Sequence, residues 1–269
     1  MAYVPPGPRA RRDKESHRPC AERCIPLGAV LAERLMHATK MRHEIPTGHS
    51  GTELFTSGAY VEHFRPEAGT NPFRNDYEAK RTWVIDLVRG QGKRVLDIGG
   101  GMGRMAIPLS LRHDVTLCDL SPRMLELARH RAGTRLKLAI ADVRALPFAD
   151  GEFDFALCID VLPHLAIPGP GVEEIRRVLR PGGTLIIDST NSLSLWTLAY
   201  PRYLGRRPNR WLKIWRAGGV LPEWSSRVHH MRFRQFVDVL TSAGFRVKSR
   251  RNFGPRLCPK WHVVEAEAI

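Results

Sequence analysis

No run of about eighteen apolar residues, the length a membrane-crossing helix needs, occurs anywhere in the 269-residue chain. Cysteine is scarce. The five present are odd in number and scattered, so a disulfide framework is not expected and they read as reduced thiols of an intracellular protein. Cys20 and Cys24, with His17 close by, have the spacing of half a metal site, but no second pair accompanies them. No metal is therefore expected. Residues 1–12 carry prolines and arginines without an apolar segment, so no secretory signal is expected there and the cytoplasm is the expected location. Acidic residues are nearly missing from one region: residues 201–260 hold 2 Asp and Glu against 15 Lys and Arg.

That deficit accounts for most of the net charge of +15. Residues 1–44 hold 9 basic and 5 acidic side chains, whereas residues 45–200 hold 18 of each. The centre of the chain is neutral and its flanks are basic. A basic flank favours an anionic partner: a phosphorylated or carboxylated metabolite, nucleic acid, or a lipid surface touched from one side. A solvated basic face with no partner is the plainer alternative.

Residues 1–26, rich in proline and charge, are expected to be mobile. Helices are expected over 27–43 and 77–88, from apolar residues at helical spacing. From residue 94 the pattern changes. Apolar runs at 94–98, 115–118, 136–141, 153–159 and 184–188 alternate with helical patterns at 102–111, 122–131 and 172–179. Such alternation predicts a parallel sheet with crossover helices. Ser121 before Pro122 fits a helix cap and first turn. A last helix is expected over 232–243, closed by Gly244, followed by strands at 245–250 and 261–266. No internal repeat is present. Residues 190–228 interrupt the pattern and interleave Trp196, Tyr200, Tyr203, Trp211, Trp215 and Trp224 with arginines and lysines. Aromatic rings there can stack on a planar acceptor and cations can neutralise its charge. The same pattern also suits a membrane-surface helix or simple packing.

The chemistry starts at Val95-Leu96-Asp97-Ile98-Gly99-Gly100-Gly101-Met102-Gly103-Arg104. An apolar run ends in an acid, three glycines alternate with other residues, and a helical pattern follows. Glycine allows unusual φ/ψ values and close backbone approach to a ligand, so a nucleotide-type cofactor is expected at this turn. The form is D-x-G-x-G-x-G rather than the dinucleotide G-x-G-x-x-G. Asp119 follows the next apolar run, and Leu120-Ser121-Pro122-Arg123-Met124-Leu125 follows it. Asp142-Val143 ends the third run, and Leu146-Pro147-Phe148, Phe153-Asp154 and Arg180-Pro181-Gly182-Gly183-Thr184 come after. In order and spacing the chain resembles the class I S-adenosylmethionine (SAM) methyltransferases. The similarity is to their small-molecule branch, the type 11 or ubiquinone-biosynthesis-like enzymes. It extends well over 76–188 and loosely over the final hairpin. Asp142-Val143, Leu-Pro-Phe and Pro-Gly-Gly are not part of an NAD or FAD fingerprint.

The resemblance implies an α/β, Rossmann-like, doubly wound sheet of seven mostly parallel strands with a C-terminal antiparallel hairpin. It also implies an N-terminal helical cover and an insertion before the last helix. Residues 1–45 then form a basic extension, and 46–269 the methyltransferase domain, with 190–228 capping the substrate. The implied cofactor is SAM. A ribose diol suits a carboxylate that accepts both hydroxyl hydrogens, and Asp119 matches that position. Asp142 and the backbone of Val143 match the adenine partners, Leu120 and Met124 flank the ring, and Gly99, Gly101 and Asp97 meet the methionine end. Gly103 lets the helix pack on the strand. The sequence departs from the family pattern at Gly100, where many relatives have cysteine or alanine, and at Met102, where threonine is common.

Methyl transfer from a sulfonium is an in-line displacement in which the protein aligns the nucleophile and excludes water. An acceptor with a proton to lose needs a base. His164 and Asp160, just beyond the fourth strand, are the candidates. A histidine there also supports the loop in relatives of varied specificity. Tyr60 and Tyr77, from the lid region, join Trp196, Tyr200, Arg206, Arg207 and Arg210 as expected acceptor contacts. The expected function is methylation of a small organic or lipid-like acceptor, anionic or aromatic. Two alternatives stand beside it: an RNA methyltransferase using the basic C-terminal third, and a SAM-binding partner protein without turnover.

Overall fold

The computed structural model describes residues 74–194, 229–257 and 259–269. The extension 1–45, Cys20, Cys24, Tyr60 and nearly all of the insertion, with Trp196, Tyr200, Arg206, Arg207 and Arg210, lie outside the described residues.

Seven strands form one sheet: β1 (Arg94–Ile98), β2 (Asp114–Asp119), β3 (Lys137–Ile140), β4 (Phe153–Cys158), β5 (Leu179–Thr190), β6 (Phe245–Phe253) and β7 (Trp261–Ala268). Their order is β3-β2-β1-β4-β5-β7-β6. β1 to β5 pair in parallel, while β7 runs antiparallel to both of its neighbours. The helices are α1 (Arg74–Leu87), α2 (Ala106–Leu109), α3 (Pro122–Ala132), α4 (Gly169–Val178) and α5 (Phe233–Ser242). The expected doubly wound sheet with its final hairpin is what the chain forms.

Alternation along the central strands divides the core in two. Leu96, Ile98, Ala156, Cys158, Leu185 and Ile187 face Val172, Ile175, Val178, Phe236 and Leu240 of α4 and α5. Val95, Leu157 and Ile186 share the opposite core with Val84 of α1, Ala106 and Leu109 of α2, and Leu125 and Ala128 of α3. Both faces of a parallel sheet are thus covered by helices, and its strands read as near-continuous apolar runs. Each fully buried Leu or Ile contributes about 1.5–3 kcal/mol of transfer free energy.

Several boundaries differ from the sequence reading for physical reasons. The helix expected over 102–111 shrinks to Ala106–Leu109. Gly101 and Gly103 hold φ of 54° and 84°, outside right-handed helical space, so helical backbone begins only after the turn. β5 runs longer than 184–188 because Arg180 to Gly183 leave the ladder, with Arg180 to Gly182 exposed, and Leu179 re-pairs with Phe153 beyond them. α1 begins earlier, and its most deeply buried positions, Lys80, Val84 and Leu87, follow the i, i+4, i+7 pattern. A lysine lies on the core stripe of this helix.

The chain lays down β1, β2 and β3 towards one edge, then returns to place β4 and β5 on the other side of β1. The direction of winding reverses between β1 and β4. Open α/β sheets bind ligands beyond the carboxyl ends of strands at such a switch point.

Candidate active site

Gly99 follows β1 and Asp160 follows β4, on either side of the switch point. The two loops touch: a Cβ built on Gly99 falls 2.3 Å from Val161 Cγ2. Gly99 also has φ of 63°, so glycine is required there twice over, by backbone and by space. The turn is tied to β2 by Gly99 N–H and Gly100 N–H, which donate to the Cys118 carbonyl at 2.7 and 3.3 Å.

Two acids hold this turn in shape. Asp119 Oδ2 accepts from Gly101 N–H at 2.9 Å, and its Oδ1 accepts from Ser121 N–H at 2.8 Å. Ser121 then caps α3, with its hydroxyl accepting from Met124 N–H. A carboxylate has about four acceptor sites, so Asp119 keeps capacity for a diol. Burial raises its pKa against the three backbone donors that lower it. Asp97 lies underneath, only 2% exposed. Its Oδ2 accepts from Ala106 N–H at 3.1 Å, which joins the strand end to the first turn of α2. Burial pushes its pKa up to about 7 against that hydrogen bond, and the nearby charge of Asp119 adds to the rise.

Gly100 marks a feature that the family comparison of the turn did not bring out. A Cβ at that position would stand 2.6 Å from Asp97 Oδ2 and 2.9 Å from Leu117 Cγ. In this chain the departure from the common Cys or Ala makes room for the Asp97 carboxylate. Among the described residues, a Cβ at Gly101 would meet only Met124 Sδ, at 3.9 Å. Among the same described residues, the space above the turn at Gly101 is open. Met102 and Met124 are buried against each other beside Leu127, and Leu120 is half-buried. Gly103 packs close to Ile107 and Leu117, consistent with its expected part in seating α2.

Asp142 and Val143 follow β3. Arg144 grips the Asp142 carboxylate with Nε at 3.0 Å and Nη2 at 2.6 Å. Burial raises the Asp142 pKa, but the Arg144 bonds outweigh it and hold the carboxyl below its ordinary value. The Val143 side chain is buried in the α4/α5 core, which leaves its backbone as the group available to a ligand. Asp119, the glycine turn, Leu120, Met124 and Asp142 therefore lie along one half of the carboxyl edge.

The other half is built from ions. Lys80 of α1 is wholly buried and donates to Asp160 Oδ1 at 2.7 Å and to Asp188 Oδ2 at 2.8 Å. Asp188, at the end of β5, is also wholly buried and accepts from Asp160 N–H through Oδ1 at 2.7 Å. The Lys80 ammonium lies 5.1 Å from the Tyr77 ring centre and 4.8 Å from that of Trp261. Burial opposes its charge, yet the two carboxylates prevail and raise its pKa. Burial and the neighbouring Asp160 charge raise the Asp188 pKa, while burial of Asp160 is outweighed by Lys80, which lowers its pKa. Asp160 is the one non-glycine residue with positive φ, 59°, among the described residues.

His164 stands in the short 3-10 turn Leu162–His164. Burial lowers its pKa below the ordinary imidazole value against the pull of Asp160, so the ring is neutral at pH 7. Lys260, which precedes Trp261 in β7, lies 4.3 Å from that ring centre. Burial and the Lys80 charge bring its pKa down to about 8. Tyr77 is half-buried, with its ring also 5.3 Å from the Arg104 guanidinium carbon. The sequence reading names Asp160, His164 and Tyr77 as candidates but not Lys80 and Asp188. The signal for Lys80 was its spacing of four and seven residues from Val84 and Leu87. The signal for Asp188 was an acid at a strand's carboxyl end, as at Asp97 and Asp119. Among the described residues no cluster of His, Cys, Asp and Glu has the make-up of a metal site, and no helix is long and apolar enough to cross a membrane.

Residues 96–187 match a family model described as a methyltransferase domain. A ubiquinone biosynthesis O-methyltransferase of Dechloromonas aromatica is 31% identical over 133 residues, covering 48% of this chain and 55% of that protein. A demethylmenaquinone methyltransferase of Paenarthrobacter aurescens is 34% identical over 133 residues, covering 47% of this chain and 52% of the relative. The matched region is about half the length of these curated relatives. Among solved structures, a magnesium protoporphyrin IX methyltransferase from Synechocystis PCC 6803, crystallised with S-adenosylhomocysteine (SAH), superposes with a TM-score of 0.65. At 18% identity, over 81% of this chain and 98% of that one, the superposition establishes the shared fold.

Proposed function

We propose, from the match of residues 96–187 to a methyltransferase-domain model, that the chain is a class I methyltransferase that transfers a methyl group from SAM to a small-molecule acceptor. The observation that carries the reading is the Asp119-pegged glycine turn at the switch point, with space above Gly101 that is open among the described residues. Its glycines let a ligand approach the backbone closely, and its acid keeps acceptor capacity for a ribose diol.

When bound, SAM supplies an activated methyl on a sulfonium. The chain's residues bind and orient. Asp119 takes the ribose diol, Asp142 and the Val143 N–H take the adenine edge, Leu120 and Met124 cover its faces, and Gly99 and Gly101 receive the methionine end. Asp97 and Gly103 support the turn from below. Where the acceptor carries an O–H or N–H, Asp160 and His164 are the groups that take its proton. The proton of such an acceptor becomes strongly acidic as the new bond to carbon forms. A weakly basic carboxylate or a neutral imidazole is then sufficient, provided it is in reach.

The relatives' names tie them to ubiquinone and menaquinone formation, which supports an acceptor of small-molecule, quinone-precursor type. The excess of cations in 201–260 supports an anionic or aromatic acceptor, met by Tyr60, Tyr77, Trp196, Tyr200, Arg206, Arg207 and Arg210. It also supports contact with an anionic membrane surface. The same excess favours a second reading, an RNA acceptor. Transfer of label from methyl-labelled SAM into fractionated cell extract separates the two. Label in the organic-soluble fraction supports the small acceptor, whereas label in RNA, with binding that weakens steeply in salt, replaces it. No label in any fraction despite tight SAH binding points to a SAM-binding protein without turnover.

A further inference from the structure

A lysine with no exposed surface is rare unless it is paired, and Lys80 is paired twice, to acids 80 and 108 residues away in the chain. One of those acids, Asp188, is also buried, but the Asp160 side chain is 39% exposed. The network therefore runs from the interior to the surface beyond β4, where the Gly99 turn and the His164 turn meet. Asp160 also holds a left-handed backbone, which costs a non-glycine residue on the order of 1 kcal/mol and persists only where the surroundings enforce it. Two bonds enforce it here: its own N–H to Asp188 Oδ1 and its Oδ1 to Lys80.

We propose that Lys80 is a positioning residue for methyl transfer: locked between Asp188 and Asp160, its ammonium fixes the Asp160 carboxylate at the end of β4 with Oδ2 turned to the acceptor. The inference rests on the reading of the chain as a methyltransferase. In the transfer, the sulfonium carbon–sulfur bond breaks with its electron pair remaining on sulfur. The acceptor heteroatom bonds the methyl, and its proton passes to Asp160 Oδ2 and from there to solvent. Lys80 gives up no proton and touches neither reactant. It keeps Asp160 ionised, so that the carboxylate is ready as acceptor, and it holds the left-handed loop that also contacts Gly99 through Val161. The titratable groups facing Asp160 are Lys80 and Tyr77 on α1, Asp188 on β5, His164 on its own loop and Lys260 just before β7. Lys80 and Asp188 are hydrogen-bonded to it.

The test uses the full-length protein with aspartate carboxyls labelled with carbon-13, and Asp160→Asn to assign the Asp160 signal. In the wild type the Asp160 signal should titrate below the ordinary aspartate range. In Lys80→Met its midpoint should rise at least about one unit, a tenfold gain in proton affinity, and Lys80→Arg should recover most of that shift. In parallel, label transfer from methyl-labelled SAM into the extract fraction that accepts it should fall at least about tenfold in Lys80→Met. SAH affinity, read by calorimetry, should stay within about threefold. An Asp160 midpoint at or above the ordinary value in the wild type overturns the proposal without needing any Lys80 variant to fold. So does equal loss of SAH binding and label transfer in Lys80→Met, which would make the lysine purely structural. A wild type that binds no SAH overturns the methyltransferase reading instead, and the carboxyl titration still reports on Lys80.

Discussion

The two halves of the sheet's carboxyl edge hold their shape by opposite means. Beyond β1, β2 and β3 the site is made of backbone, with positive-φ glycines, N–H groups donated to Asp119 and a cap at Ser121, all from residues between 97 and 143. Beyond β4, β5 and β7 it is made of buried ions, Lys80 with Asp160 and Asp188, brought together from distant parts of the chain. A site formed from one continuous turn depends on local backbone conformation. A site formed from long-range ion pairs depends on the whole fold, because each charge is tolerable only while its partner is in place. Damage should accordingly show as lost cofactor affinity in the first half and as lost stability in the second.

The largest effect is expected from the ionic half. Asp188→Ala leaves the Lys80 ammonium buried with half of its compensation and releases the Asp160 N–H. Breaking a buried pair in this way costs about 3–5 kcal/mol, measurable by urea unfolding, while the folded fraction should bind SAH nearly as before. A loss under about 1 kcal/mol would show that water reaches Lys80 and that the two halves do not differ as described. Next comes the point where the halves touch. Gly99→Ala combines a left-handed backbone with a Cβ 2.3 Å from Val161 Cγ2, and about 2–4 kcal/mol of destabilisation is expected. Val161→Ala in the same chain should restore about 1 kcal/mol or more of that loss. Strict additivity of the two changes would mean that the loops do not press on one another. In the backbone half, Asp119→Ala should weaken SAH binding by about ten- to a hundredfold, the scale of one charge-assisted contact, with a smaller effect on stability. Unchanged affinity by calorimetry would remove Asp119 from the cofactor site.

The same division explains what could be read from the sequence. The order of strands and helices, the glycine turn, Asp119 and Asp142 were legible because their chemistry is written in contiguous residues: an acid at a strand end, glycines at fixed offsets, Ser-Pro before a helix. The length of α2 was not, because Gly103 sits in a conformation that a helical hydrophobic pattern does not reveal. For Lys80 only its place on the apolar stripe was legible, and its charge partners were not. A lysine in a helix reads as solvated unless the fold supplies two carboxylates, and nothing near residue 80 announces Asp160 or Asp188. The sequence shows Gly100 only as a departure from the family pattern. Its necessity comes from Asp97, which turns back underneath it, and that is a property of the folded turn.

The smallest expected effect sharpens the contrast electrostatically. Asp97 lies beneath the glycine turn without a cationic partner among its hydrogen bonds, and burial pushes its carboxyl from an ordinary 3.8 up to about 7. Between about pH 4 and 7 the folded protein holds a proton on Asp97 that the unfolded chain has released, so this group makes stability fall as pH rises through that window. The histidines act in the opposite direction. Burial lowers the pKa of His164, His230 and His262, so each makes stability rise with pH below its ordinary value. Asp97→Asn isolates the first contribution, since asparagine keeps an oxygen for the Ala106 N–H and cannot ionise. From pH 5 to 7 the stability of the wild type relative to this variant should drop by about 1–2 kcal/mol, below the ceiling of about 1.4 kcal/mol per pH unit, as read from urea unfolding at several pH values. That slope would identify the cofactor half as a region that keeps its buried acid neutral, opposite to the paired charges around Lys80. A flat difference would mean that Asp97 stays ionised under the turn, and both halves would then have to stabilise buried charge.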